Sequence, residues 1–163
     1  HIAALARAHP GISWQPTDIA ADRFPVIEAW RTHMGDANLA PPVQLDACSE
    51  GWAAKTAPWD VVFLVNLLHL VSDGQMAVLL DEMTQAVKPG GLCAIYGPFL
   101  RDGKTTSSGD AAFHAQLRQK DSSIGYKEIE VLSSVLMAMG FGVDVIEMPA
   151  NNLLVLARRP KVA

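Results

Sequence analysis

The stretch Trp59-Asp60-Val61-Val62-Phe63-Leu64-Val65-Asn66-Leu67-Leu68-His69-Leu70 decides how this chain is read. It opens as a nearly unbroken, valine-rich apolar run of strand length, with Pro58 before it. Such a run fits a strand buried on both faces, as in a parallel sheet covered by helices on either side. It closes on two polar side chains, Asn66 and His69, set among leucines. Ligands of open α/β sheets bind in the crevice at the carboxyl ends of the strands, so both are candidate site residues. Further on, Lys88-Pro89-Gly90-Gly91 leads into a second apolar run, Leu92 to Tyr96, in the strand–helix–strand rhythm of a βαβ unit.

Composition narrows the classes. With 163 residues, half of them hydrophobic and 18% charged, the chain can bury a core as one domain spanning 1–163 and is not disordered. A net charge of −4 gives no electrostatic reason to expect a nucleic-acid partner. Cys48 and Cys93 are the only cysteines and show no metal-ligand spacing, so no metal is expected and a reduced, cytoplasmic setting is. No apolar run reaches the roughly 18 residues of a membrane span, so no membrane partner is expected either.

Outward from the central run, His1 to Arg7 reads as the end of a helix with no cap before it, stopped by His9-Pro10-Gly11. Ile12 to Pro16 reads as a short strand with Asp18 at its carboxyl end, and Thr17 or Asp18 can cap a helix from about Ala20 to His33. Phe24, Ile27 and Trp30 mark the apolar face of that helix. Pro41 to Asp46 reads as a strand and Ala47 to Pro58 as a loop. A helix from Ser72 to Val87 buries Met76, Leu79, Leu80 and Met83. Arg101 to Asp110 is polar and, by composition, the most flexible stretch. Helices follow over 111–119 and 127–139, the second ended by Gly140 in the left-handed conformation. Phe141 to Met148 and Leu153 to Arg158 pair as a hairpin about Pro149-Ala150-Asn151-Asn152.

Three successive strand ends thus carry Asp18, Asp46 and Asn66. A carboxylate after the second strand suits a ribose diol, and one after the third can accept from an adenine amino group. An aspartate in such a place also serves as a turn or helix cap. This succession, the Lys-Pro-Gly-Gly turn and the terminal antiparallel pair resemble a class I S-adenosylmethionine-dependent methyltransferase. The match extends to Trp14-Gln15-Pro16-Thr17-Asp18, Asn66-Leu67-Leu68-His69, Tyr96-Gly97-Pro98-Phe99, Asp102-Gly103, Phe113, Leu117-Arg118 and Met148-Pro149-Ala150-Asn151-Asn152-Leu153. These motifs resemble the methyltransferase-like family called domain of unknown function 938. The resemblance implies a doubly wound, Rossmann-like α/β sheet, mostly parallel, with a C-terminal antiparallel strand pair.

It also implies S-adenosylmethionine as cofactor, held by Asp18, Asp46, Ala47, Asn66 and Leu67. Methyl transfer to a small-molecule acceptor is the implied reaction. His69 and Tyr96 are the catalytic candidates, and Tyr96, Arg101, Asn151 and Asn152 the acceptor-binding ones. Imidazole is the side chain best able to take a proton near neutral pH, yet methyl transfer mainly needs the acceptor held close to the methyl group. His69 therefore reads equally as a wall of the site, Tyr96 as a rim aromatic and Arg101 as a solvated loop residue. Asn151 and Asn152 are costly for a mere turn, and Asn152 is expected to face the acceptor or lock the Tyr96 loop.

Two departures from the family pattern stand out. The family opens on a strand and a glycine-rich loop ending in Gln-His, and His1 corresponds to that last His. About 40 further residues are therefore expected upstream, and without them cofactor binding is expected to be poor. Gly109 and His114 stand where the family tends to have Asn and Asp. Two other readings compete: a methyltransferase-fold protein that binds without catalysing, and a nicotinamide-dependent oxidoreductase, for which Asp18 would also serve.

Overall fold

The valine-rich run forms strand β3 (Trp59–Val65), hydrogen-bonded in parallel to β4 (Val87–Leu100) with Val62 opposite Cys93 and Val65 opposite Tyr96. A computed structural model describes residues 2–34, 37–56 and 58–161. The helical reading of His1 lies outside these. The chain divides into two compact units, residues 1–47 and 48–163.

In the first unit, α1 (Ile2–Ala8) and α2 (Phe24–Met34) accompany a parallel pair of two-residue strands, β1 (Thr17–Asp18) and β2 (Val43–Gln44). The expected strand over 12–16 is reduced to one bridge, Trp14 to Leu39, and pairing resumes only at Thr17. Pro16 has no N–H to give a ladder, and Pro41 and Pro42 delay β2 in the same way. Ala3, Ala6 and Leu39 form the core, flanked by Ile2, Trp14 and Met34. Asn38 closes this unit by donating its amide to the carbonyls of Ala6, His9 and Ile12 at 2.7–3.1 Å. A 3₁₀ turn at 21–23 precedes α2, which begins four residues later than read. The expected apolar face of α2 is not buried: Trp30 is 58% exposed. The small core of this unit, Ala3, Ala6 and Leu39, does not include Phe24, Ile27 or Trp30.

The second unit holds a mixed, Rossmann-like sheet in the order β3-β4-β7-β6, with β5 (Lys127–Glu128) pairing in parallel to the end of β4. Strands β6 (Gly142–Glu147) and β7 (Asn152–Arg158) form the expected antiparallel pair, and β7 lies antiparallel to β4. Between strands run α3 (Asp73–Ala86), α4 (Ser108–Lys120) and α5 (Ile129–Ala138). The core is built from Leu79, Leu80 and Met83 of α3, Val87, Cys93 and Ile95 of β4, Leu132 and Leu136 of α5, and Leu153 and Val155 of β7. Each such side chain contributes about 1.5–3 kcal/mol by leaving water.

Local chemistry places these elements. Ser72 and Gln75 exchange side-chain and backbone hydrogen bonds in a capping box that starts α3. Gly140, with φ +86°, ends α5 as read: its N–H reaches Met137 and that of Phe141 reaches Leu136, a Schellman arrangement. Gly91 admits no other residue, since a Cβ there would stand 2.8 Å from the Asp60 carbonyl and 2.6 Å from Val87. Helix α5 begins two residues later than read because Lys127 and Glu128 pair with Phe99 and Leu100 instead.

One expectation is overturned. Strand β3 is not buried on both faces: Val61, Phe63 and Val65 are 52%, 44% and 40% exposed. Among the described residues of this unit it pairs on one side only, with β4, so it has the cover of an edge strand.

Candidate functional site

At the carboxyl end of β3 the chain turns sharply. Asn66 has φ +53°, its N–H donates to the Tyr96 carbonyl at 2.8 Å, and its side chain is exposed. Asparagine is among the few residues that take this left-handed conformation readily. Its carboxamide makes no hydrogen bond among the described residues, and neither does the hydroxyl of half-buried Tyr96 on the neighbouring strand. The end of β3 and the middle of β4, which runs on from Tyr96 to Leu100 rather than stopping there as expected, thus present uncommitted polar groups beside Leu67.

Past Leu67 a 3₁₀ turn, Leu68–Leu70, carries His69 inward to 7% exposure. Its imidazole meets the rings of Phe113 and Tyr126 edge-on, at centroid distances of 5.7 and 6.0 Å. The Gly125 N–H donates to the His69 carbonyl. Neither ring nitrogen of His69 has a hydrogen-bond partner among the described residues, and burial holds its pKa below the ordinary imidazole value.

Around this aromatic group stands a hub that sequence reasoning missed. The Asp110 carboxylate accepts from Ser107 Oγ (2.6 Å), Tyr126 Oη (3.0 Å), Thr106 Oγ1 (3.1 Å) and Asn151 Nδ2 (3.0 Å). It ties together the stretch before α4, the α4–α5 connection and the β6–β7 turn. The Ser107 hydroxyl leads the groups that hold the Asp110 carboxyl below its usual range. Burial first, then Asp110 itself, push the Tyr126 phenol up to about 12, so it stays a donor. His114 belongs to the same group: its Nδ1 accepts the Tyr126 N–H at 3.0 Å. Gly125, at φ +139°, allows this approach, because a Cβ would stand 3.0 Å from the His114 ring. The Ser107-x-x-Asp110 spacing is a helix-start signature that could have drawn attention to Asp110, but nothing local announces its distant partners.

The remaining predicted residues are held by the protein itself. Arg101 is not a solvated loop residue: it forms a two-pronged pair with Glu147 of β6 at 2.8 and 2.9 Å. The polar stretch it opens is pinned as well, by the Arg101–Lys104 bridge and by the Gly103 N–H on Glu128. The Asn152 amide closes its own turn on the carbonyls of Pro149 and Ala150, while its backbone stands opposite Pro98 in the β4–β7 ladder. It is Asn151 that reaches across, to Asp110. In the first unit, Asp18 ends β1 and accepts the Ala20 N–H at 2.9 Å in a local turn, with exposed Arg23 at 3.4 Å; it does not cap the helical stretch, whose N-cap is Ala20 and which has no side-chain cap. Asp46 and Ala47 follow β2, Asp46 exposed and Ala47 half-buried.

The sequence profile of a family described as a protein of unknown function, DUF938, matches residues 1–159. The chain belongs to the DUF938 family. This DUF938 chain is also similar in fold to solved structures. An O-methyltransferase family protein from Burkholderia thailandensis superposes with a TM-score of 0.84 at 18% identity, over 99% of this chain and 48% of that one. An O-methyltransferase family 2 protein from Planctomyces limnophilus, in complex with apigenin, gives 0.82 at 18% identity, over 97% and 47%. PigF with S-adenosylhomocysteine gives 0.80 at 15% identity, over 96% and 46%. The DUF938 chain spans about half the length of these proteins, and what they share with it at such identities is the fold.

Proposed function

We propose that this protein takes part in S-adenosylmethionine-dependent methyl transfer to a small-molecule acceptor in the cytoplasm. The observation that carries the reading is the pair of uncommitted polar groups where β3 ends against β4, Asn66 in the left-handed conformation and Tyr96 within the neighbouring strand. They stand in a chain whose fold matches O-methyltransferases over nearly its full length. The donor set suits this cofactor: neutral amide and carbonyl groups of Asn66 and Leu67 for its amino-acid end, and the carboxylates of Asp18 and Asp46, with Ala47 beside them, for its ribose and adenine. When bound, the cofactor supplies an electrophilic methyl group on a sulfonium.

The chain's own residues then have three tasks. Asn66 and Leu67 hold the cofactor's polar end without adding charge. Tyr96 and the Asn151 turn bound the acceptor, so that the reacting atoms meet in line and little more than proximity is needed. His69, neutral at physiological pH because burial disfavours its cation, takes the proton of an acceptor hydroxyl as the new bond forms. Arg101, committed to Glu147, shapes the rim from behind.

Calorimetric titration of S-adenosylhomocysteine into the protein tests this reading. Saturable binding is expected, weakened about tenfold or more by Asn66→Ala and by Asp18→Ala, each removing a hydrogen-bonding partner. Saturable binding of a nicotinamide cofactor in its place would overturn the proposal.

A further inference from the structure

A cavity of about 540 Å³ lies in the second unit, between the amino end of α3 and the connection from α4 to β5. Two cations line it, Lys127 and Arg118, together with Ser122 and Ser123 and the apolar side chains of Met76, Ile124 and Val131. Lys127 is only 7% exposed. Its Nζ makes one hydrogen bond, to Asp73 at 2.7 Å, while the Asp73 side chain is 85% exposed. A buried ammonium has three donors to satisfy, and an unmet one is costly. Two remain without a partner among the described residues. Arg118 makes no ion pair and donates no hydrogen bond among the described residues. Its stem lies against Gly125, where a Cβ would stand 3.2 Å from Arg118 Cγ.

The acidic residues lining the same cavity are already engaged. Asp73 is bound to Lys127, and Glu128 accepts the Gly103 N–H at 3.2 Å. The two carboxylates balance the two cations in charge, and what is left uncommitted is donor capacity, on the Arg118 guanidinium and the Lys127 ammonium, beside the apolar side chains of the same lining.

We infer that this cavity binds a small amphipathic anion, its carboxylate or phosphate head between Lys127 and Arg118 and its apolar body against Met76, Ile124 and Val131. A planar guanidinium with a neighbouring ammonium suits either head, through paired charge-assisted hydrogen bonds. The cavity shares Gly125 and Tyr126 with the surroundings of His69, but neither Asn66 nor Tyr96 lines it, and the inference stands whether or not methyl transfer is the reaction.

The test is a ¹⁵N–¹H correlation titration with hexanoate and with hexyl phosphate, and with hexan-1-ol as the uncharged companion. Saturable shifts of the amides over 122–128 are expected with at least one of the anions. Arg118→Ala and Lys127→Met are each expected to weaken the binding by about tenfold or more, the loss of one charge-assisted partner. Arg118 is exposed and makes no ion pair or hydrogen bond among the described residues, so its variant keeps the fold even if Lys127→Met does not. The inference is overturned if neither anion gives saturable shifts, if hexan-1-ol binds as well, or if Arg118→Ala leaves the affinity unchanged.

Discussion

Ala150 holds a φ of +58° and Asn151 one of +62° at the tip of the β6–β7 hairpin. The turn needs both values to match the twist of its strands, and for alanine this conformation costs about 1–2 kcal/mol. What the strain secures is the reach of Asn151 to Asp110. Ala150→Gly is therefore expected to raise stability by about 1 kcal/mol, less the added freedom of glycine in the unfolded chain. A urea midpoint that falls in this variant would remove the strain argument. His69 and His114 make a second prediction at this scale, since burial leads the causes that hold both below the ordinary imidazole pKa. The unfolded chain binds protons that the folded one refuses, so the stability they contribute is complete above about pH 6.5 and is lost as pH falls below it. His114→Asn keeps an acceptor for the Tyr126 N–H and removes one of the two titrating groups. Its urea midpoint should drop less between pH 7.5 and 5.5 than that of the parent, and an equal drop would exclude His114 as a cause. Asn66 and His69 were legible as site residues because they end an apolar run. Asp110 was not, because its importance comes from Tyr126 and Asn151, which the fold brings to it.

Among the elements, α3 carries a buried carboxylate. Glu82, buried on this helix, accepts the N–H groups of Gly51 and Ala53 at 2.5 and 2.7 Å and so fixes the loop ahead of β3. The Ala53 N–H leads the interactions that hold its carboxyl below the usual range. This contribution is present above about pH 4.3 and is lost as pH falls through the lowered value. Glu82→Gln keeps the shape but not the charge, and is expected to cost about 1–3 kcal/mol. Full resistance to urea in that variant would mean that the loop is held by its apolar contacts alone. Helices with explicit punctuation, such as the Ser72 box and the Gly140 stop, could be read to within a few residues. The short strands could not: proline shortened β1 and β2, and β5 exists only because Phe99 and Leu100 lie alongside it.

On the scale of the whole molecule, parallel β3–β4 pairing and the antiparallel β7 and β6 follow from the order of apolar runs and from two turns with glycine or positive-φ residues. That much of the architecture was open to reading. The exposure of Val61, Phe63 and Val65 was not, because an apolar run looks the same whether or not a neighbour covers it. No helix among the described residues is long and apolar enough to cross a membrane. The central claim is that cofactor is held at the carboxyl ends of the strands. A ¹⁵N–¹H correlation titration of the protein with S-adenosylhomocysteine tests it most directly. The account predicts saturable shifts at Asp18, Asp46, Asn66, Leu67 and the amides beside Tyr96, with the cavity amides over 122–124 unmoved. Saturable shifts confined to that cavity, with Asn66 and Leu67 unmoved, would contradict it.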